Sequence, residues 1–347
     1  MFDAITTLFK LRWTLQQPQL RPLPPHVQRE FVSTQNGDLE LLICQPKHPS
    51  KATPTTGAPI FFLHGGYGSA GVWLEWMTYL HNAGYPGPLY AFSVRNHGAS
   101  YSVPYWQMVF STPLDAVASD AIACIDFIKS HASNTGQATP ILVGHSSGGG
   151  LAQYMLAKGR ARAHALCLVD AIPHFSSMDI YLNWFKHDPW FPLRSMFHLQ
   201  HPTSPLSTPR LVHGAFFGHL FPMSRVPDFM RWMPGYESMG WPVGMMGDIV
   251  GWWRGNANWL EPRDILRNID LGDAPAANCD KICTIVGSED MMYDERMWNR
   301  QVREYRQGIG DLGSVRLVVV KGAGHHVQND VQCEKAAEAL LKFVLQA

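Results

Sequence analysis

Apolar residues follow two patterns that alternate along the chain. Short uninterrupted apolar runs predict strands buried on both faces, and they occupy residues 58–63, 89–94, 139–145, 165–169, 282–286 and 315–320. Between them, apolar positions three and four apart predict helices, at residues 72–83, 112–130, 147–158, 294–306 and 331–345. The alternation predicts an α/β fold, with a mostly parallel sheet, helices on both faces, and ligands bound at the carboxyl ends of the strands.

The start of the chain is organised differently. Residues 27–34 and 39–45 flank Asn36-Gly37, a strong hairpin signal, so the first two strands are predicted to be antiparallel. Residues 1–15 predict a short amphipathic helix packed on the body, with an interfacial anchor or an oligomer contact as the alternative. That segment has the features of neither a secretory signal nor a membrane span. Four prolines in residues 17–25 predict an extended connector.

The alternation stops at residue 173 and resumes only near residue 281. The interval is rich in Trp, Met, Pro and Gly, too aromatic for disorder and too long for a structureless loop. We therefore expect a helical lid inserted at the carboxyl end of the sheet. Most of its Trp and Met side chains should form its own core, and a minority should line a pocket for a bulky apolar ligand. The predicted organisation is an N-terminal helix and proline-rich arm (1–26), a first core part (27–172), the lid (173–275) and a second core part (276–347).

Composition narrows the classes of partner. The 347 residues are 46% hydrophobic and 16% charged, with a formal net charge of zero, which argues against nucleic acid or an anionic membrane and favours a neutral small molecule. The six cysteines lack metal-ligand spacing, and neither they nor the six histidines of the predicted lid indicate a metal site. We expect no cofactor, free thiols and a cytoplasmic protein. A homo-oligomer is compatible with the sequence.

The first candidate for chemistry is the serine between glycines at residues 144–148. A side chain at the tip of a strand-to-helix turn sits on strained backbone, so the positions two before and two after it must be small. Gly144 and Gly148 meet this requirement around Ser146. The amides that open the following helix would favour negative charge beside it. The alternative is an ordinary glycine-rich turn, because short motifs recur by chance.

Three further motifs each follow a predicted strand. The first is His64-Gly65-Gly66, which offers backbone amides that a ligand can approach closely. The others are the G-x-x-D turn at residues 287–290 and the G-x-G-H turn at residues 322–325. The side chains of Ser146, Asp290 and His325 should therefore meet at one edge of the sheet.

In the order and placement of these motifs, the chain from residue 27 to residue 346 resembles the α/β-hydrolase family, in its lid-bearing branch. The resemblance implies a catalytic triad in which Ser146 is the nucleophile, His325 the base and Asp290 the acid. The oxyanion hole would be formed by the amides of Gly66 and Ser147.

Alternatives for the acid stay open, because this group is recognised by geometry rather than by position. Asp170, at the end of the preceding strand, is the rival, with a turn cap as its other interpretation. Glu289 comes third. His326 is expected to be a structural neighbour of the base, and His145 a packing residue, as is His64.

One motif departs from the family pattern, and three side chains are candidates for the pocket. Residues 93–98 carry Ser93 and Asn96 where many relatives have an acid and a glycine, so the hydrogen bonds of this turn are in question. Tyr67, Trp73 and Tyr101 are the aromatic candidates for the pocket wall.

The expected function is hydrolysis of an ester, lactone or thioester of a neutral, largely apolar small molecule through an acyl-enzyme on Ser146. Carbon–carbon bond hydrolysis and acyl transfer to an alcohol can use the same triad. A non-hydrolytic small-molecule receptor or a lyase on the same fold is the alternative from another class. A dehalogenase or epoxide hydrolase is disfavoured, because the related nucleophile there is an aspartate.

Overall fold

The computed structural model describes residues 18–47, 57–132, 139–254, 258–270, 280–310 and 314–347. The helix predicted at residues 1–15, and Cys279, lie outside these residues. Eight strands form one sheet in the order β1-β2-β4-β3-β5-β6-β7-β8. Their bounds are β1 Val27–Thr34, β2 Gly37–Cys44, β3 Ile60–Leu63, β4 Leu89–Phe92, β5 Ile141–His145, β6 Leu166–Val169, β7 Asp280–Gly287 and β8 Ser314–Val320.

The direction of the strands agrees with the prediction. Strand β2 pairs antiparallel with β1 and β4, and every pairing from β4 through β3, β5, β6 and β7 to β8 is parallel. The hairpin was predicted at Asn36-Gly37, but residues 35 and 36 form the turn and Gly37 already opens β2. At Gly37 φ is 141°, a conformation that side chains other than glycine rarely adopt.

Thirteen helices lie within the described residues. They are α1 Leu74–Asn82, α2 Tyr105–Ser111, α3 Leu114–Ala132, α4 Ser147–Ala157, α5 Met178–His187, α6 Phe191–Phe197, α7 Pro209–Phe216, α8 Val226–Met230, α9 Gly240–Val243, α10 Ile249–Trp253, α11 Pro262–Leu266, α12 Glu295–Ile309 and α13 Cys333–Val344. Short 3-10 helices occupy Ala70–Trp73, Ser204–Leu206 and Met223–Arg225. Helix α2 was not predicted.

Each face of the sheet carries its own hydrophobic core. On one face, apolar side chains of α3, α4, α11 and α12 pack against the strands. On the other face, α1 and α13 do so, together with the 3-10 helix at Ala70–Trp73. Helices on both faces of a mostly parallel sheet confirm the predicted fold class.

A third core lies at the carboxyl ends of the strands, under the chain between β6 and β7. We call residues 173–270 the β6–β7 insertion. Its apolar side chains, such as Val212, Phe216 and Phe229, pack with one another and against Met292 and Tyr293, which follow β7. The insertion therefore covers the edge at which the candidate residues were expected to meet.

No single helix of the described residues is long and apolar enough to cross a membrane. Helix α2 and the Leu114–His131 part of α3 reach that length and composition only together, with a bend of 104° between them. The five described cysteines are unpaired thiols, and four of them are buried.

Candidate active site

Strand β5 ends in the turn that presents Ser146. The Ser146 backbone has φ 52° and ψ −124°, a strained conformation for a residue with a side chain. A Cβ at Gly144 would lie 2.5 Å from the Gly149 Cα, and one at Gly148 would lie 2.3 Å from the His64 carbonyl oxygen. Both glycines are thus required by close backbone approach, as the sequence predicted.

The structure brings Ser146, His325 and Asp290 into one hydrogen-bonded chain. The Ser146 hydroxyl lies 2.9 Å from His325 Nε2, and His325 Nδ1 lies 2.6 Å from Asp290 Oδ2. A carboxylate only accepts, so Nδ1 carries the proton and Nε2 can accept from the hydroxyl. The second Asp290 oxygen accepts the Met292 N–H at 2.7 Å, which fixes the carboxylate. This arrangement can remove the proton of Ser146 as its oxygen attacks an electrophile.

The two rival acids lie elsewhere. Asp170 is fully buried at the end of β6, where one of its oxygens accepts the Gly287 N–H at 2.9 Å. Burial, and then the nearby Asp290 carboxylate, raise the Asp170 pKa well above its ordinary range, which favours the neutral acid. Glu289 accepts a 2.7 Å hydrogen bond from the exposed His219. Of the three acids, Asp290 is the one bonded to His325.

The histidines around His325 are held neutral. Burial, followed by repulsion from His325, lowers the His326 pKa to about 3. Burial also lowers the His145 pKa well below its ordinary value, with further lowering from His326 and His325. His145 Nε2 lies 2.9 Å from the His325 carbonyl oxygen and helps to fix the backbone of that residue. Because His326 and His145 are neutral, they do not repel a positive charge that forms on His325 during a reaction.

The two predicted oxyanion donors, Gly66 and Ser147, both line the cavity beside Ser146. The Ser147 N–H opens α4, where helix amides have no acceptor within the helix. The Gly66 N–H donates a 2.8 Å hydrogen bond to the Ser147 hydroxyl oxygen. It must therefore exchange this partner for the substrate oxygen if it is to stabilise an oxyanion.

The sequence prediction missed Glu237, a buried carboxylate of the β6–β7 insertion beside this loop. It accepts the Tyr67 N–H at 2.9 Å and the His97 Nε2–H at 2.9 Å. His97 Nδ1 lies 2.8 Å from the Arg95 carbonyl oxygen. Since both His97 partners are acceptors, both ring nitrogens carry protons and the ring is an imidazolium.

The pKa directions agree with an ion pair. Burial lowers the His97 pKa, but the Glu237 carboxylate more than compensates, so the net shift is upward. For Glu237, burial raises the pKa and His97 reverses this, so the net shift is downward. The pair ties the insertion to the loop of Gly66 and Tyr67. The feature of the sequence that could have drawn attention to Glu237 is that it is the one charged residue between Arg231 and Asp248.

The turn at residues 93–98, which departs from the family pattern, is held by a carboxylate from a neighbouring strand. The Ser93 hydroxyl donates to Glu40 of β2 at 2.6 Å, and the same Glu40 oxygen accepts the Ala99 N–H at 3.0 Å. Asn96, at φ 65°, bonds both backbone groups of Val103. The missing acid is thus replaced across the sheet, and His64, which accepts the Val94 N–H at 3.1 Å, keeps its predicted packing role.

A cavity of about 300 Å³ opens between Ser146 and the β6–β7 insertion. Its wall is mostly apolar, with side chains from α5, α6, α9 and residues 200–205. Tyr67 lines it as predicted, but Trp73 and Tyr101 do not. Trp73 is fully buried in the core beneath α1, and Tyr101 packs under the Arg95 guanidinium.

Among the residues that the structure describes, no group of three His, Cys, Asp or Glu side chains could hold a metal ion.

The sequence and the structure were compared with known proteins. The sequence profile described as the alpha/beta hydrolase family matches residues 60–339. A search of curated proteins found no match.

Among solved structures, a carboxylesterase from Bacillus subtilis superposes with a TM-score of 0.56 at 15% identity, covering 100% of this chain and 97% of that one. An esterase from Exiguobacterium antarcticum gives 0.56 at 16%, covering 91% and 98%. A haloalkane dehalogenase from Agrobacterium tumefaciens gives 0.58 at 17%, covering 92% and 97%. Identities this low establish a shared fold alone.

Proposed function

Because the chain belongs to the alpha/beta hydrolase family, we propose that it is a serine hydrolase that cleaves an ester, lactone or thioester of a neutral, largely apolar small molecule. The observation that carries the proposal is the chain from the Ser146 hydroxyl through His325 to Asp290, with bonds of 2.9 and 2.6 Å. A hydroxyl is a weak nucleophile until such a base takes its proton. The aspartate nucleophile expected of a dehalogenase is not at this position.

The reaction would proceed in two halves. The Ser146 oxygen attacks the acyl carbon while His325 Nε2 takes the hydroxyl proton, and the carbonyl oxygen gains a negative charge near the amides of Gly66 and Ser147. Collapse of this intermediate breaks the bond to the leaving group, which receives the proton from His325. Water, deprotonated by His325, then attacks the acyl carbon. The bond to the Ser146 oxygen breaks, His325 returns the proton to that oxygen, and the acid leaves.

The cavity supports the proposed substrate class. Its volume of about 300 Å³ is at the lower end of the range for small-molecule sites. Glu237 lies in its wall and is neutralised by the ion pair with His97 behind it, and most of the other lining residues are aromatic or aliphatic. We propose that the β6–β7 insertion acts as the lid of this cavity. A compact ester or lactone is therefore favoured over a charged substrate.

The test is covalent labelling with a fluorophosphonate, followed by peptide mass analysis, and hydrolysis of a panel of soluble esters, lactones and thioesters. Labelling is expected on Ser146, and Ser146→Ala should lose both labelling and hydrolysis. The matched control is Ser119→Ala, which removes a hydroxyl from the exposed face of α3 and leaves the cavity lining unchanged. Full hydrolysis by Ser146→Ala would contradict the proposal. Tight ligand binding without any acyl-enzyme burst would instead favour a receptor or a lyase.

A further inference from the structure

Exposed apolar side chains are concentrated around the entrance of the cavity. Two side chains of the cavity wall, Met239 and Val243, are also 39% and 52% exposed to solvent, so they mark this entrance. Helix α9, which bears Val243, is tied to α2 by the 3.0 Å bond from the Met239 N–H to the Val109 carbonyl oxygen. Apolar side chains on the neighbouring elements therefore surround the opening.

Helix α2 presents two large aromatic rings beside this entrance. Trp106 and Phe110 stack on one another, with ring centroids 5.4 Å apart, yet remain 70% and 61% exposed. Tyr105 of the same helix stacks at 5.6 Å on His201, which lines the cavity. Clusters of exposed apolar side chains mark sites at which folded proteins bind other molecules or membranes.

The turn after α6 presents a leucine in an unusual conformation. Leu199 and Gln200 have φ of 50° and 60°, a left-handed region that is disfavoured for side chains such as leucine. The turn leaves Leu199 78% exposed, while Gln200 lines the cavity. The chain thus holds a strained backbone that places an apolar side chain in solvent at the entrance.

Asp, Glu, Lys and Arg are missing from the same segments, and the imidazolium of His97 is buried and paired with Glu237. Residues 96–114, 195–209 and 238–247 contain no Asp, Glu, Lys or Arg. Arg194 of α6 is buried and ion-paired with Asp188. A surface of this composition gains nothing from an anionic or cationic partner, and its exposed Trp106 suits the boundary between lipid and water.

We propose that this surface, the mouth face, seats the protein on uncharged lipid surfaces, from which the substrate of Ser146 enters the cavity. The mouth face consists of Trp106, Phe110, Met196, Leu199 and Val243. A second copy of the chain seated there would cover the cavity entrance, whereas a lipid surface delivers apolar molecules to it. The purpose of the surface rests on the proposed function, but its binding does not.

The test is flotation of the full-length chain with vesicles of phosphatidylcholine alone. The Ser146→Ala form is used throughout, so that binding is measured without lipid hydrolysis. We expect co-flotation that is equal at low and high salt and is not increased by phosphatidylserine, because no charge pairs are involved. The triple variant Trp106→Gln, Phe110→Gln and Leu199→Ser should reduce the bound-to-free ratio at least about tenfold.

The matched control replaces three exposed apolar residues on other elements, with Phe31→Gln, Val319→Thr and Leu345→Ser. These side chains are 48%, 46% and 59% exposed and lie on β1, on β8 and after α13. The control should float as the parent does. The mouth-face triple variant, made in the chain that retains Ser146, should keep its kcat/KM for a soluble ester, since none of its residues lines the cavity.

The inference is overturned if the parent does not float, or if the mouth-face variant floats as well as the parent. It is also overturned if the parent is a dimer that the mouth-face variant dissociates and neither form floats, since the face would then join two copies. Flotation without any esterase activity in the Ser146 chain would remove the proposed function and leave the lipid docking in place.

Discussion

Replacing Asp290 by asparagine should stop the proposed reaction by turning the base into the wrong tautomer. The two carboxylate oxygens of Asp290 accept from His325 Nδ1 at 2.6 Å and from the Met292 N–H at 2.7 Å. Asparagine has one acceptor oxygen, and a backbone N–H can only donate, so that oxygen is expected to face Met292. The amide nitrogen then faces Nδ1, which must give up its proton. Nε2 becomes protonated and cannot accept from Ser146.

The expected loss is large because the pair is sealed from water. The His325 and Asp290 side chains are 3% and 0% exposed, so no solvent molecule can take over the role of the carboxylate. Loss of the correct tautomer in such a triad lowers kcat by about 10⁴-fold. At about 1.36 kcal/mol for each tenfold change, this is about 5 kcal/mol of transition-state stabilisation.

The assay is steady-state hydrolysis of a soluble p-nitrophenyl ester, with urea unfolding to verify that each variant is folded. Two other acids serve as controls. Asp170→Asn keeps an oxygen for the Gly287 N–H and removes a carboxyl that favours its neutral form, so kcat should fall less than about tenfold. Glu289→Gln alters a contact with the exposed His219 and should leave kcat unchanged.

Two results would refute this reasoning. Equal losses in Asp170→Asn and Asp290→Asn would show that the acid is shared between the two positions or wrongly assigned. A folded Asp290→Asn protein that keeps more than about a tenth of the parent kcat would show that the tautomer of His325 is not set by this contact.

Further predictions concern stability. Gly148→Ala should lower the free energy of unfolding in urea by about 1–3 kcal/mol or more, since its Cβ would meet the backbone at 2.3 Å. At Gly214 a Cβ would meet no neighbouring atom within 4 Å, so Gly214→Ala should leave that free energy unchanged or raise it by up to about 1 kcal/mol. Equal effects of the two substitutions would contradict this prediction. Glu237→Gln should lower stability by about 3–5 kcal/mol, most between pH 4.5 and 6.5, the ordinary pKa values of Glu237 and His97. Below that window the lowered Glu237 pKa is crossed, and above it the raised His97 pKa, so a difference in melting temperature that is constant with pH would be the contrary result. The raised pKa of Asp170 gives stability that is complete below pH 3.8, the ordinary pKa of this carboxyl, and falls by about 1.4 kcal/mol per pH unit from there up to the raised folded-state pKa. Asp170→Asn should remove that fall, and an unchanged slope would contradict the prediction.

The strands and the serine turn could be predicted from sequence because their causes are local. Strands buried on both faces have unbroken runs of apolar residues. Positions 144 and 148 must be glycine because the backbone at the turn itself leaves no space for a Cβ. Asp290 and His325 could be proposed as partners because each follows a parallel strand. Their contact was inferred from topology and did not require knowledge of side-chain packing.

The parts that escaped prediction depend on contacts between distant segments. Glu237 meets His97 across 140 positions of sequence, and Glu40 replaces the missing acid at Ser93 from a neighbouring strand. The sequence around Glu237 and around Glu40 contains no pattern that indicates these partners. The short helices of the β6–β7 insertion carry too few turns for an apolar period, and the burial of Trp73 away from the cavity depends on how α1 packs.

The pairing of β6 with β7 has a consequence for how the protein acquires activity. Leu166 lies beside Ile282 in this parallel pair, so a loop of about 115 residues must close before β7 can join the sheet. The equilibrium penalty for this length grows slowly, by about 0.6 kcal/mol per doubling, but distant pairings slow the search. A growing chain therefore presents the Ser146 turn long before His325 and Asp290 exist to activate it. The proposed nucleophile is therefore synthesised first and stays inert until the last quarter of the polypeptide docks.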